Sequence, residues 1–176
     1  MVYIMKFYVD GGCRNNGYSN AIGAAAACLM SRNNSSFRCK AGQLITSYHS
    51  ATNQRAEILA IILALQWVLE KYETLHSEPY LRVTIHSDSR YAVGCMSKWI
   101  DRWIKNGWVN SKGHTVANVD MIQMASDLHD EVEALGQVDY VYVPRSENQN
   151  ADRKCNEALD RMEKWESDAS EHYYCF

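Results

Sequence analysis

The hydrophobic pattern changes its period once, near residue 50, and that change constrains the fold more than any other feature. Before it, Val2 to Val9 is a β-branched and aromatic run stopped by Asp10-Gly11-Gly12. Ile22 to Leu29 and Phe37 to Leu44 read as two further strands around a polar turn, Ser31 to Ser36. After it, Ile58, Ile61, Ile62, Leu65, Val68 and Leu69 fall on one helical stripe, with Thr52 and Asn53 as candidate caps. Leu81 to His86 returns to a strand, ending in Ser87-Asp88-Ser89, and Tyr91 to Ile104 reads as one or two short helices. Val119 to Leu135 is a helix, with Met121, Ile122, Met124, Ala125, Leu128, Val132 and Leu135 expected inward. Val138 to Val143 is a last strand closed by Pro144, and a final helix runs from about Asn150 to Trp165. The order βββαβααβα predicts a mixed sheet flanked by helices in one domain, residues 1–165. Residues 166–176 show no clear period and are expected to form a flexible tail.

Composition supports a single globular core: 176 residues, 47% hydrophobic, 22% charged, with only 9 Gly and 2 Pro, so collagen-like and Pro-rich disordered chains are excluded. No apolar run approaches the roughly 20 residues that span a bilayer, so no membrane partner is expected. The N-terminus lacks the pattern of a secretory leader. With no CxxC pair among six cysteines, the expectation is reduced thiols in an intracellular protein, nuclear or cytoplasmic and not secreted, with Cys28, Cys95 and Cys155 as small buried hydrophobes. The net charge of −3 hides one basic, Trp-rich block. Arg90, Lys98, Arg102, Lys105 and Lys112 lie between Arg90 and Asn118 against one acid, Asp101. Such a block is either a surface for an anionic partner or a solvated helix face beside a core aromatic cluster.

Asp10 and Asp88 each follow a buried strand, the place where sites collect in open α/β sheets. Each alone also suits a turn or a cap. Glu57 lies about one turn into the helix beside its apolar stripe, where a charge is costly unless it is paired or metal-bound. Asp152 lies in the first turn of the last helix, where an acid also complements the helix dipole. Four carboxylates converging without matched Lys or Arg call for divalent cations, and oxygen-only ligands select Mg²⁺ or Mn²⁺ over Zn²⁺. Two such ions about 4 Å apart can activate water and stabilise the leaving oxygen of a phosphodiester.

Five segments in order, YVDGGCRNNG (Tyr8–Gly17), TNQRAEI (Thr52–Ile58), IHSDSRYAV (Ile85–Val93), WIDRWIKNGWVNSKGHTVANVD (Trp99–Asp120) and NQNADRKCNEAL (Asn148–Leu159), carry a resemblance. From about Tyr3 to Met162 the chain resembles the catalytic domain of ribonuclease H, type 1, of eukaryotic type. The resemblance implies the ribonuclease H-like α/β fold, a five-stranded mixed sheet flanked by helices. It implies an endoribonuclease that hydrolyses the RNA strand of RNA–DNA hybrids with two Mg²⁺ ions (Mn²⁺ as an alternative), giving 5′-phosphate and 3′-hydroxyl ends. Asp10, Glu57, Asp88 and Asp152 match the family's metal-binding carboxylates. Cys13, Asn15, Asn16 and Asn53 match positions that meet the RNA strand, where 2′-hydroxyls separate RNA from DNA. Glu57 is expected to add to that recognition. Thr52 and Asn118 match a pocket for a DNA phosphate, in which Ser50 stands where some relatives have a basic residue. Trp99, Trp103 and Ser111 match a channel for DNA sugars, and Arg102, Lys105 and Lys112 a basic handle that supplies salt-dependent affinity.

The likeness breaks down after the last strand. Most relatives carry a mobile Gly- and His-containing loop there, whereas Pro144-Arg145-Ser146-Glu147 is short and has no His. Arg145 is the candidate substitute for the loop His, ahead of His49 and His172. A second reading is a catalytically weak module that binds hybrids or double-stranded RNA, and a third is a domain cut from a reverse transcriptase. The four carboxylates argue against the non-catalytic module and the complete Trp-rich handle for a free-standing enzyme, which is expected to be a monomer. Double-stranded RNA stays open as a further partner.

Overall fold

The computed structural model describes residues 1–46 and 49–173, and the side chains of these as far as residue 165. Five strands form one mixed sheet in the order β3-β2-β1-β4-β5. Strands β1 (Val2–Arg14), β2 (Ile22–Met30) and β3 (Phe37–Gln43) are an antiparallel meander. The chain then crosses through helix α1 (Asn53–Glu73) and adds β4 (Tyr80–Ser87) parallel to β1. Helices α2 (Arg90–Gly94) and α3 (Ile100–Lys105) are joined by a π-helical turn, Cys95–Trp99. Helix α4 (Val119–Glu133) leads to β5 (Gly136–Tyr142), parallel to β4, and helix α5 (Gln149–Tyr173) follows.

The expected element types all form. β1 runs through Gly11-Gly12 to Arg14, so Asp10 sits inside the strand rather than after it. The pairing Gly11↔Ala25 and Cys13↔Gly23 explains this, because β2 supplies partners that far along. α5 continues as helix past Trp165 to Tyr173; Tyr174 to Phe176 lie outside the described residues. Met124, expected inward, is exposed.

Two layers of helix are held by the small side chains of β2. Ala24, Ala25, Ala26 and Ala27 are all fully buried. Ala25 and Ala27 pack with Phe7, Val9, Ile58, Ile61 and Leu65 on the α1 side, and Ala24 and Ala26 with Cys155, Ala158 and Leu159 of α5. A methyl at every position lets helices close on both faces of one strand. Gly11 is required for a related reason. A Cβ there would lie 2.1 Å from the Ala56 carbonyl carbon, so β1 touches the backbone of α1 directly. That contact brings Asp10 and Glu57 together.

The thiol expectation is corrected at one pair. Cys28 and Cys39 form a disulfide. They stand opposite each other in the β2–β3 ladder with Cα atoms 4.0 Å apart, a cross-strand placement that only the register reveals. Cys95 and Cys155 are buried free thiols, as expected. No helix among the described residues is long and apolar enough to cross a membrane.

Candidate active site

Each of the four carboxylates is delivered by a different element. Asp10 comes from the middle of β1, Glu57 from the first turns of α1, Asp88 from the residue after β4, and Asp152 from the first turn of α5. All four line one cavity of about 190 Å³, together with Gly11, Gly12, Cys13, Asn53 and Arg145. Asp10 and Glu57 are buried, at 8% and 9% exposure. Glu57 Oε2 is buried with no hydrogen-bond partner.

Burial pushes the Asp10 carboxyl up to about 7, and the charges of Asp88 and Asp152 push in the same direction. Burial likewise raises Glu57 to about 9, with Asp10 and Asp88 adding to it. Desolvation and like charge both oppose ionisation here. Arg145 works against the rise in both cases. It is exposed, and its guanidinium donates to Asp152 Oδ1 at 2.6 Å. Arg14, the other cation lining the cavity, is engaged by Asp160 at 3.1 Å and by Asn156 at 3.2 Å. The cluster therefore keeps an excess of negative charge and a buried oxygen with no donor, the signature of a site that fits hard divalent cations. A second group of possible ligands, His129, Asp130 and Glu133, lies on α4 and shares no residue with this cavity.

The positions expected to meet nucleic acid divide between the carboxylate cavity and other parts of the surface. Cys13 and Asn53 line the same cavity, and Asn16 Oδ1 accepts the Asn53 backbone N–H at 3.4 Å. Asn15, with φ +52°, sits in the exposed turn after β1. Thr52 and Asn118 are the N-cap residues of α1 and α4. Thr52 accepts the Arg55 N–H at 3.2 Å, and Asn118 donates to the Tyr91 hydroxyl at 3.1 Å. Arg55 fixes the two helix starts together through hydrogen bonds of 2.9 and 2.7 Å to the Asp120 carboxylate. Sequence reasoning missed this buried arginine. The signal available was an Arg two residues from an acid on the buried face of a helix.

The Trp99 and Trp103 rings meet at a tilt of 49° with centroids 5.7 Å apart, and Trp103 meets Trp108 at 6.5 Å. The two tryptophans stand four residues apart where the π-helical turn runs into α3, which brings their rings together. Trp103 and Trp108 pack on the core, while Trp99 is 39% exposed. Trp99, Arg102, Trp103 and Ser111 line a second cavity of about 390 Å³. Lys105 and Lys112 are exposed nearby in sequence but do not line it. Of the alternative histidines, His49 lies 3.8 Å from Asp120 and does not line the carboxylate cavity. His172 is beyond the residues whose side chains are described.

Comparison with known proteins places this geometry. The RNase H family model matches residues 3–161. The ribonuclease H of Clostridium botulinum (strain Hall) is 28% identical over 161 residues, covering 88% of this chain and 95% of that protein. Among solved structures, LC9-RNase H1, a type 1 RNase H with the type 2 active-site motif, superposes with a TM-score of 0.69 at 21% identity, covering 90% of this chain and 72% of that one. LC11-RNase H1, solved in complex with an RNA/DNA hybrid, superposes with a TM-score of 0.59 at 19% identity, covering 90% and 98%. A family match over nearly the whole chain, with the same mixed sheet in its structural neighbours, makes this protein a member of the ribonuclease H family and a ribonuclease H enzyme.

Proposed function

We propose that the protein is a Mg²⁺-dependent endoribonuclease that cleaves the RNA strand of RNA–DNA hybrids, leaving 5′-phosphate and 3′-hydroxyl ends. One observation carries the reading: four carboxylates from four separate elements line one cavity, two of them buried and held above the usual carboxylate range by burial and mutual repulsion. Asp10, Glu57, Asp88 and Asp152 would hold two divalent cations, which when bound supply an activated water and a stabilised leaving oxygen. The chain's own residues do the rest. Cys13, Asn15, Asn16 and Asn53 face the RNA strand on one side of the carboxylates, where a 2′-hydroxyl can be sensed by hydrogen bonds. Thr52 and Asn118, at two adjoining helix starts, receive a DNA phosphate. Trp99, Trp103 and Ser111 receive DNA sugars, and Arg102, Lys105 and Lys112 add phosphate affinity that falls with salt.

Arg145 takes the place of the absent loop histidine electrostatically. Its charge sits against Asp152 at the mouth of the cavity, where it opposes the build-up of negative charge as a scissile phosphate arrives. The reading that the chain only binds hybrids or double-stranded RNA is tested by the same assay. Labelled RNA–DNA hybrid, double-stranded RNA and single-stranded RNA are incubated with Mg²⁺ or EDTA, beside Asp10→Asn. Hybrid cleavage that needs Mg²⁺ and is lost in the variant is the expected result. Cleavage that survives EDTA or Asp10→Asn refutes the mechanism, and binding without cleavage favours the non-catalytic reading.

A further inference from the structure

Asn148 stands between the 3₁₀ turn Arg145–Glu147 and α5, and it is fully buried. Its backbone carbonyl accepts the Asp152 N–H at 3.1 Å, so it is the residue from which α5 starts. An asparagine in that place ordinarily turns its side-chain oxygen back to the first N–H groups of the helix. Asn148 instead sends its side chain inward. Its NH₂ donates to the Val9 carbonyl at 2.9 Å and to Asp88 Oδ1 at 2.7 Å. Its own Oδ1 is left buried without a partner. A carbonyl and a carboxylate only accept, so the donating group must face them.

This arrangement gives up a helix cap and strands a buried carbonyl, both unfavourable. In return, one residue connects three of the four carboxylate-bearing segments. It grips Asp88 itself, it grips the β1 carbonyl immediately before Asp10, and its own backbone opens the helix turn that carries Asp152. The chemistry of the group matters as much as its place. A lysine or arginine would hold Asp88 equally well but would cancel charge that cations need. An aspartate could not donate and would add a fifth acid. A neutral donor fixes one Asp88 oxygen and leaves the other free.

We infer that Asn148 is a positioning residue for the cation-binding carboxylates, setting Asp88 and Asp10 relative to Asp152. The inference rests on the metal-dependent reading above. In Asn148→Ala the Mg²⁺ concentration for half-maximal hybrid cleavage rises about 10- to 100-fold, while hybrid affinity in EDTA stays at the wild-type value. The rise in melting temperature that Mg²⁺ gives the substrate-free protein shrinks in parallel. In an Asp88→Asn background, Asn148→Ala costs less of that Mg²⁺-induced rise than it does alone, because part of its effect runs through Asp88. A variant that melts earlier but keeps the wild-type Mg²⁺ dependence shows a packing role only and overturns the inference, as does full additivity with Asp88→Asn. Asn148→Ser is measured alongside in case the alanine variant does not fold. The wild-type protein gives an independent reading by NMR: the Asn148 carboxamide protons exchange slowly and shift on adding Mg²⁺. Fast exchange with no shift overturns the inference without any variant. If the wild type itself shows no Mg²⁺-dependent cleavage, it is the functional reading that fails.

Discussion

Opening the Cys28–Cys39 bridge is expected to lower the melting temperature without touching hybrid cleavage at 25 °C. The bridge joins two strands of a hairpin with a sequence separation of 11. Loop-closure entropy for a ring of that size, −2.1 − 1.5R ln n, corresponds to about 2.8 kcal/mol at 25 °C. For a domain of this length each kcal/mol moves the midpoint by about 2–4 °C, which gives a drop of about 6–11 °C. Activity is spared because neither cysteine lines the carboxylate cavity, and the β2–β3 ladder remains paired without the bond. The assay is a thermal scan with and without reductant, repeated on the Cys28→Ala/Cys39→Ala protein. Alkylation before reduction counts the free thiols. The reduced wild type and the double variant should melt together, below the oxidised protein. If alkylation shows both thiols free in the protein purified without reductant, the pairing is refuted. If the bridge is present and its removal leaves the midpoint unchanged, the chain-entropy reasoning is refuted.

Arg145→Ala should slow cleavage about tenfold, short of the roughly 10²- to 10³-fold cost of losing a buried oxyanion donor, because the guanidinium is solvent-exposed; unchanged turnover and hybrid affinity would remove it from the mechanism. Gly11→Ala forces a Cβ into the Ala56 backbone and should cost about 3 kcal/mol or more, read as a lower urea midpoint or loss of soluble protein; wild-type stability would deny the direct contact of β1 with α1. Asp120 should make stability depend on pH in acid. The Arg55 hydrogen bonds hold its carboxyl below the ordinary 3.8, so its contribution is present above that value and is lost as pH falls through the lower folded-state value. Asp120→Asn should therefore be less stable than wild type at pH 6 and converge with it in stronger acid; a difference that does not change with pH would refute the pairing.

The element order and the mixed character of the sheet were legible because hydrophobic period and turn chemistry agree along the whole chain. The four carboxylates were legible for a different reason: an acid beside a buried apolar run conflicts with its surroundings, and such conflicts mark sites. What escaped was whatever depends on pairing between distant segments. The Cys28–Cys39 bond follows from strand register, and the Arg55–Asp120 tie from the packing of α1 against α4. Asn148 was visible as part of a motif, but nothing in its spacing shows that its side chain turns inward to Val9 and Asp88 rather than capping its own helix. Asp10 was placed after its strand rather than within it because Gly11-Gly12 reads as a stop; here the glycines let a strand pass beneath a helix.

Asp10 and Asp152 belong to segments far apart in sequence, β1 and α5, yet line the same cavity. The quartet is therefore complete only while α5 lies docked on the sheet, and local opening of that one helix would scatter it with β1, β4 and α1 still packed together.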